Sequence, residues 1–159
     1  MSSETPTPST EEADPLALER QVCFALAVAN RAVLAVYRPL LEPLGLTHPQ
    51  YLVMLALWGE APMSVTAIGE AIQLDLPTLS PLLKRLQAAE LISRTRGVDD
   101  ERQVIIDLTG KGRELRARAV QIPPAVIEQL GTTVPDLEDL HDGLTRLIAA
   151  ARQANARRS

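Results

Sequence analysis

The hydrophobic period of this chain switches from helical to strand-like over one short stretch, and that switch constrains the fold more than any other feature. From Ser64 onward apolar residues recur at three- and four-residue steps, first in SVTAIGEAIQLD and then in LPTLSPLLKRLQAAELI, as helix faces require. Then Leu91-Ile92-Ser93-Arg94-Thr95-Arg96 and Arg102-Gln103-Val104-Ile105-Ile106-Asp107-Leu108 alternate with a period near two. Between them lies a polar tip, Gly97-Val98-Asp99-Asp100-Glu101, so the pair reads as a hairpin. Short helix, turn, second helix and hairpin, in that order, predict a winged helix-turn-helix over about residues 62–108.

Local signals refine this expectation. Ser64 is a good N-cap, and Met63 and Ile68 stand where a hydrophobic staple packs. The second helix has two possible starts. With Thr78 as N-cap, Pro81 falls at the third helical position, where its missing N–H has no partner to lose. A start at Asp75 costs one helical hydrogen bond at Pro81, and the sequence leaves both starts open.

Upstream, Leu18, Val22, Leu26, Ala29, Val33, Val36, Leu40 and Leu44 mark one face of a long helix. Pro39 and Pro43 disturb its last turns and Gly45 ends it; a second helix runs from His48-Pro49 to Gly59. Downstream, Thr109 caps a helix through Leu115 and Val120 that Pro123-Pro124 interrupts. A last helix runs from about Val134 to Ala151, and the basic end with Arg152, Arg157 and Arg158 is expected to fray. The fold class is therefore mainly α with a small β-hairpin. The terminal helices carry more apolar face than a small wing domain covers, which predicts dimerisation helices at both ends and a homodimer.

Composition agrees. Leu and Ala dominate, aromatics are 3% of the 159 residues, and 46% are hydrophobic, which favours packed helices over a sheet. The length suits a single domain, here 16–155. Residues 1–15 (MSSETPTPSTEEADP) hold Glu4, Glu11, Glu12 and Asp14 and no basic residue, which accounts for the whole net charge of −4. That acidic tail is expected to be disordered. The longest uninterrupted apolar runs, Val22–Ala29 and Tyr51–Trp58, fall far short of the roughly 20 residues that span a bilayer. No signal-peptide pattern is present. One cysteine with two histidines is too few for a structural zinc site. The expectation is a cytoplasmic protein with no cofactor, no metal and no membrane partner.

The body of the chain is neutral, yet Lys84, Arg85, Arg94 and Arg96 cluster against one acid, Glu90. A cluster of this size is by itself most often a solvated surface. Its placement on the second helix and the hairpin, with Arg102 at the tip, points instead to double-stranded DNA. Lysine and arginine neutralise phosphates, Thr78 and Ser80 at the helix start are short enough to reach base edges, and a wing arginine fits a narrow minor groove.

These features together resemble the MarR family of dimeric winged-helix transcription regulators, from Leu16 to Ala151. Asp99-Asp100-Glu101-Arg102 is similar to the family's D-x-R wing signature, which implies that Asp100 braces Arg102. Within the family the chain resembles the OhrR-type organic hydroperoxide sensors of the single-cysteine type. The residues that carry this are Cys23-Phe24-Ala25-Leu26, Tyr37-Arg38-Pro39-Leu40-Leu41, Leu46-Thr47-His48-Pro49-Gln50-Tyr51 and Leu79-Ser80-Pro81-Leu82-Leu83-Lys84-Arg85. The resemblance implies that Cys23 is the peroxide-reactive thiol and Tyr37 its hydroxyl partner from the other subunit. Two departures stand out: His48 occupies the usual place of a second tyrosine, and Leu76-Pro77 replaces a small polar pair.

Helix geometry fits the intersubunit arrangement. Fourteen residues separate Cys23 from Tyr37, about 21 Å along a straight helix and nearly on one face. Two antiparallel copies crossing near Asn30 bring each Cys23 level with the other copy's Tyr37 and keep the two thiols far beyond disulfide reach.

The function expected is thus a DNA-binding repressor that senses organic hydroperoxides at Cys23, with a low-molecular-weight thiol resolving the oxidised sulfur. One alternative is release by a small phenolic or lipid-like ligand instead of thiol oxidation. Another is a thiol peroxidase, which the lack of a resolving cysteine disfavours. A lone cysteine on a helix is commonly a plain small hydrophobe, Tyr51 and Trp58 read as core, His48 either assists the thiol or only opens its helix, and His141 reads as surface.

Overall fold

The computed structural model describes residues 14–158. All of the acidic segment 1–15 except Asp14 and Pro15 lies outside them. The chain divides into two compact units, one ending at Ala35 and the other beginning at Val36. The boundary falls inside the long helix α1 (Val22–Leu41).

The first unit holds a single 3-10 turn, Leu18–Arg20, and the start of α1. None of its described residues is buried, and Leu18, Val22, Phe24, Leu26 and Val28 are exposed. One expectation is corrected here. Val22–Leu44 is, by length and composition alone, apolar enough to cross a bilayer, with a mean hydropathy of 1.3 over its 23 residues. Counting unbroken runs missed this because Asn30, Arg31, Tyr37 and Arg38 split the run yet leave its mean apolar. Arg31 stands near the middle, where an arginine costs about 3 kcal/mol in lipid, so a protein partner suits this face better than a membrane.

The second unit begins with the end of α1. A turn at Glu42–Leu44 follows, and Gly45 stops the helix in the left-handed region at φ 71, where glycine alone is unstrained. Helix α2 (His48–Glu60) starts at a capping box: Gln50 donates its N–H to the Thr47 hydroxyl, and the Thr47 N–H donates back to Gln50 Oε1 at 2.9 Å. Strand β1 (Met63–Ser64) leads into α3 (Val65–Ile72), whose N-cap Ser64 accepts from the Ala67 N–H at 3.0 Å. Met63 and Ile68 are both buried, as the staple requires. Then come α4 (Leu76–Ala88), β2 (Ile92–Arg96), β3 (Val104–Leu108), α5 (Gly110–Ala119), α6 (Ile122–Leu130) and α7 (Val134–Ala156).

Four details differ from the sequence reading or extend it. First, the hairpin belongs to a three-stranded antiparallel sheet of order β1-β3-β2, with Met63 opposite Ile106. A two-residue strand carries no period to detect. Second, α4 takes the earlier start. Asp75 is the N-cap, its Oδ1 accepting from the Thr78 N–H at 2.8 Å, and Pro81 lies inside the helix. Aspartate caps at least as well as threonine, and Pro77 is tolerated in the first turn. Third, the break after α5 falls at Val120-Gln121, and Pro123-Pro124 open α6 instead of interrupting a helix. First-turn residues have no helical N–H partner to lose. Fourth, α7 extends to Ala156, and Arg152 donates to Gln73 Oε1 at the turn between α3 and α4. That end of the chain is helical and anchored, not frayed.

The core joins Leu41 with Val53, Met54 and Leu57 of α2, Ile68 of α3, Leu79, Leu83 and Leu86 of α4, and Ile92 and Ile106 of the sheet. Burying the Leu79–Leu82–Leu83–Leu86 stripe turns the opposite face of α4 outward.

Candidate functional site

The outward face of α4 and the wing hold the residues expected to meet DNA. Lys84 and Arg85 are exposed on α4; Arg96 is exposed and Arg94 half-buried on β2. Thr78 is exposed, but it is already engaged. Its side chain and its N–H both bond to Asp75, and these bonds hold the Asp75 carboxyl below its ordinary range. Ser80 is half-buried.

The wing tip closes through its backbone. Gly97 N–H donates to the Gln103 carbonyl at 2.8 Å, and Gln103 N–H to the Asp100 carbonyl at 3.1 Å. Asp100 Oδ1 accepts from the backbone N–H of Arg102 at 3.0 Å. Among the described residues no ion pair joins Asp100 to the Arg102 guanidinium. The aspartate therefore shapes the turn that carries Arg102 and leaves the guanidinium free of that carboxylate.

Of the residues expected to sense peroxide, Cys23 lies in the first unit and is exposed. Tyr37 and His48 lie in the second and meet edge to face, with ring centroids 4.9 Å apart and planes at 71°. Tyr51 completes a triangle of rings, 6.1 Å from Tyr37 and 6.2 Å from His48. It is buried, as a core residue should be, yet it also belongs to this cluster. The signal that could have found it is its spacing three residues after His48, which puts both on one face of α2.

Burial pushes the His48 imidazole below its ordinary value, so it is neutral at neutral pH. Burial and the neighbouring Tyr37 push the Tyr51 phenol upward. His48 and Tyr51 are thus neutral hydrogen-bonding groups. Elsewhere, a cleft of about 260 Å³ lies between α2, α5 and α6, lined in part by Leu55, Trp58, Arg116 and Pro123.

Comparisons with known proteins bear on this arrangement. Residues 35–118 match the family described as transcriptional regulator SarA/Rot. The chain is 39% identical over 142 residues to the organic hydroperoxide resistance transcriptional regulator of Bacillus subtilis, covering 89% of this chain and 97% of the relative. It is 45% identical over 134 residues to the HTH-type transcriptional regulator TtmR of Methylorubrum extorquens, covering 84% and 69%. Among solved structures it is similar to AbfR of Staphylococcus epidermidis, with a TM-score of 0.67 and 33% identity over 83% of this chain and 94% of that one.

Proposed function

The chain belongs to the MarR family of winged-helix transcription regulators, in the group that resembles the organic hydroperoxide resistance regulators, and we propose that it is a homodimeric repressor that releases DNA when Cys23 is oxidised. Its relatives are transcription regulators and not enzymes, and so is this chain. The observation that carries the redox reading is Cys23 itself: the sole cysteine, exposed on α1. Likeness to a regulator named for organic hydroperoxide resistance, over nearly all of that regulator's length, supports it.

DNA recognition follows from α4 and the wing. Lys84, Arg85, Arg94, Arg96 and Arg102 neutralise phosphates or enter the minor groove, and Asp100 sets the wing turn. Thr78 and Ser80 contribute through the helix start, Thr78 mainly by holding the Asp75 cap. Two copies dimerise by covering the exposed apolar residues of α1 together with Leu140, Leu147 and Ile148 of α7, which are exposed in the single chain.

The chemistry is balanced with two co-reactants. The Cys23 thiolate attacks one peroxide oxygen, the O–O bond breaks, and the departing alkoxide takes a proton to become an alcohol. The resulting sulfenic acid condenses with a low-molecular-weight thiol, forming a mixed disulfide and releasing water. Tyr37, from the other copy, donates a hydrogen bond to the reacting sulfur, and His48 with Tyr51 orients that phenol. The adduct is bulkier than a thiol, so it displaces the helices it lies between, moving the two reading heads off their spacing of about one DNA turn.

The test is DNA binding by the purified full chain, using a duplex selected by this protein from a random-sequence pool. An organic hydroperoxide plus a small thiol should release the wild type and leave Cys23→Ser bound. If both stay bound, the thiol is not the sensor. The cleft beside Trp58 and Arg116 supports a second reading, release by a small phenolic or lipid-like ligand, which a response unchanged in Cys23→Ser would favour.

A further inference from the structure

The first turns of α4 present almost nothing to a DNA groove that can hydrogen-bond. With 3.6 residues per turn, Pro77, Pro81 and Lys84 fall within about 60° of one another, directly opposite the buried leucine stripe. Both prolines are exposed; Leu76, the first residue of the helix, stands about 100° round from Pro77 on the flank next to Leu83 and is 51% exposed. The two side chains here with donors are compromised: Thr78 is bonded to Asp75, and Ser80 is half-buried. Proline has no N–H, and a first-turn leucine has only carbon to offer.

This apolar patch is continuous with Lys84 and Arg85 on the same helix, whose charge suits a phosphate backbone. An exposed apolar surface bordered by cations at the head of a recognition helix has one matching feature in the major groove. That feature is the 5-methyl group of thymine, the only methyl on any base edge there.

We propose that this chain reads its DNA chiefly through thymine methyl groups, packed against Leu76, Pro77 and Pro81. The inference rests on the DNA-reading assignment of α4 above. It makes these three residues specificity determinants, with Lys84 and Arg85 supplying sequence-independent affinity.

The experiment uses the full chain and the duplex it selects from a random pool. Each thymine of that duplex is replaced in turn by deoxyuridine, which removes the methyl and keeps the base pair. Thymine methyls lie only in the major groove, so wing contacts in the minor groove are untouched. Replacement under α4 should weaken binding about fourfold per methyl, the worth of one buried methyl-sized group. In Leu76→Ser, one of those penalties should vanish while the penalties at the other thymines remain. Pro77→Ser should remove a penalty at a different thymine.

If deoxyuridine is neutral at every position while 7-deazapurines weaken binding, hydrogen bonds read the sequence, and the thymine reading is overturned. If the pool yields no preferred duplex at all, the DNA-reading assignment fails first and the inference with it.

Discussion

The indole N–H of Trp58 donates to the carbonyl oxygen of Gly112 at 2.9 Å, joining α2 to the first turn of α5. Gly112 is pressed against the chain that follows α4: a Cβ built on it would stand 2.1 Å from the Leu91 carbonyl oxygen. That same oxygen accepts from the Thr109 N–H at 3.1 Å. Three segments therefore converge where the wing meets the body, and only a residue without a side chain fits between them.

Gly112→Ala should destabilise the protein by about 3 kcal/mol, the upper range for overpacking, because backbone and not a pliable side chain must move. Trp58→Phe keeps most of the ring and loses the hydrogen bond, for about 1 kcal/mol. Urea unfolding followed by circular dichroism compares the two; equal midpoints for Gly112→Ala and wild type would show that the contact is not tight.

Glu90, just past α4, holds a left-handed backbone at φ 60. Its side chain is exposed and its carbonyl accepts from the Thr109 hydroxyl at 2.6 Å, a bond that any residue can make. Glu90→Gly should therefore raise stability by up to about 1 kcal/mol, since glycine takes this conformation without strain. A lowered melting temperature would mean that the glutamate side chain contributes something its exposure hides.

His48 gives the stability a pH dependence of defined sign. Folding lowers its pKa, so the unfolded chain binds the proton more readily. The contribution is fully present above about pH 6.5 and is lost as pH falls from there through the folded value. His48→Gln removes the titrating group and should make the decline between about pH 7 and pH 5 shallower. Melts across that range, with the same slope in both proteins, would assign the decline to other groups.

Arg96 is exposed on β2 and lies in the proposed DNA face. Arg96→Ala should weaken binding to selected and random duplexes alike, and lower the slope of log affinity against log salt by about one. A loss confined to one sequence would instead mark Arg96 as a base reader.

How much of this could be read from the residues alone depended on repetition. The wing was legible because Ile92–Arg96 and Val104–Leu108 repeat an alternation long enough to recognise. Strand β1, two residues long, repeats nothing and borrows its identity from Ile105 and Ile106 across the sheet. The start of α4 was ambiguous because Asp75 and Thr78 are both capping residues, and the structure uses them together. Pro123-Pro124 reads equally as a stop or a start, and only the break at Val120-Gln121 decides it. Of the residues proposed to sense peroxide, the family likeness supplied Cys23, Tyr37 and His48. Tyr51 stayed hidden because a buried tyrosine in a run of core residues looks like packing and nothing more.

The pairing of β1 with β3 bears on how an operator can be spelled. Ser64 lies opposite Ile105 in the sheet and also caps α3, the helix that packs against the proposed reader α4, so the inner strand of the wing and the support of the reading helix are laid from one edge. Neither can slide past the other without breaking that edge. With α4 and the wing reading DNA as proposed, the distance within a half-site between the letters each would read behaves as a ruler mark. One base pair inserted between them should be as damaging as several substitutions, however well each letter is preserved.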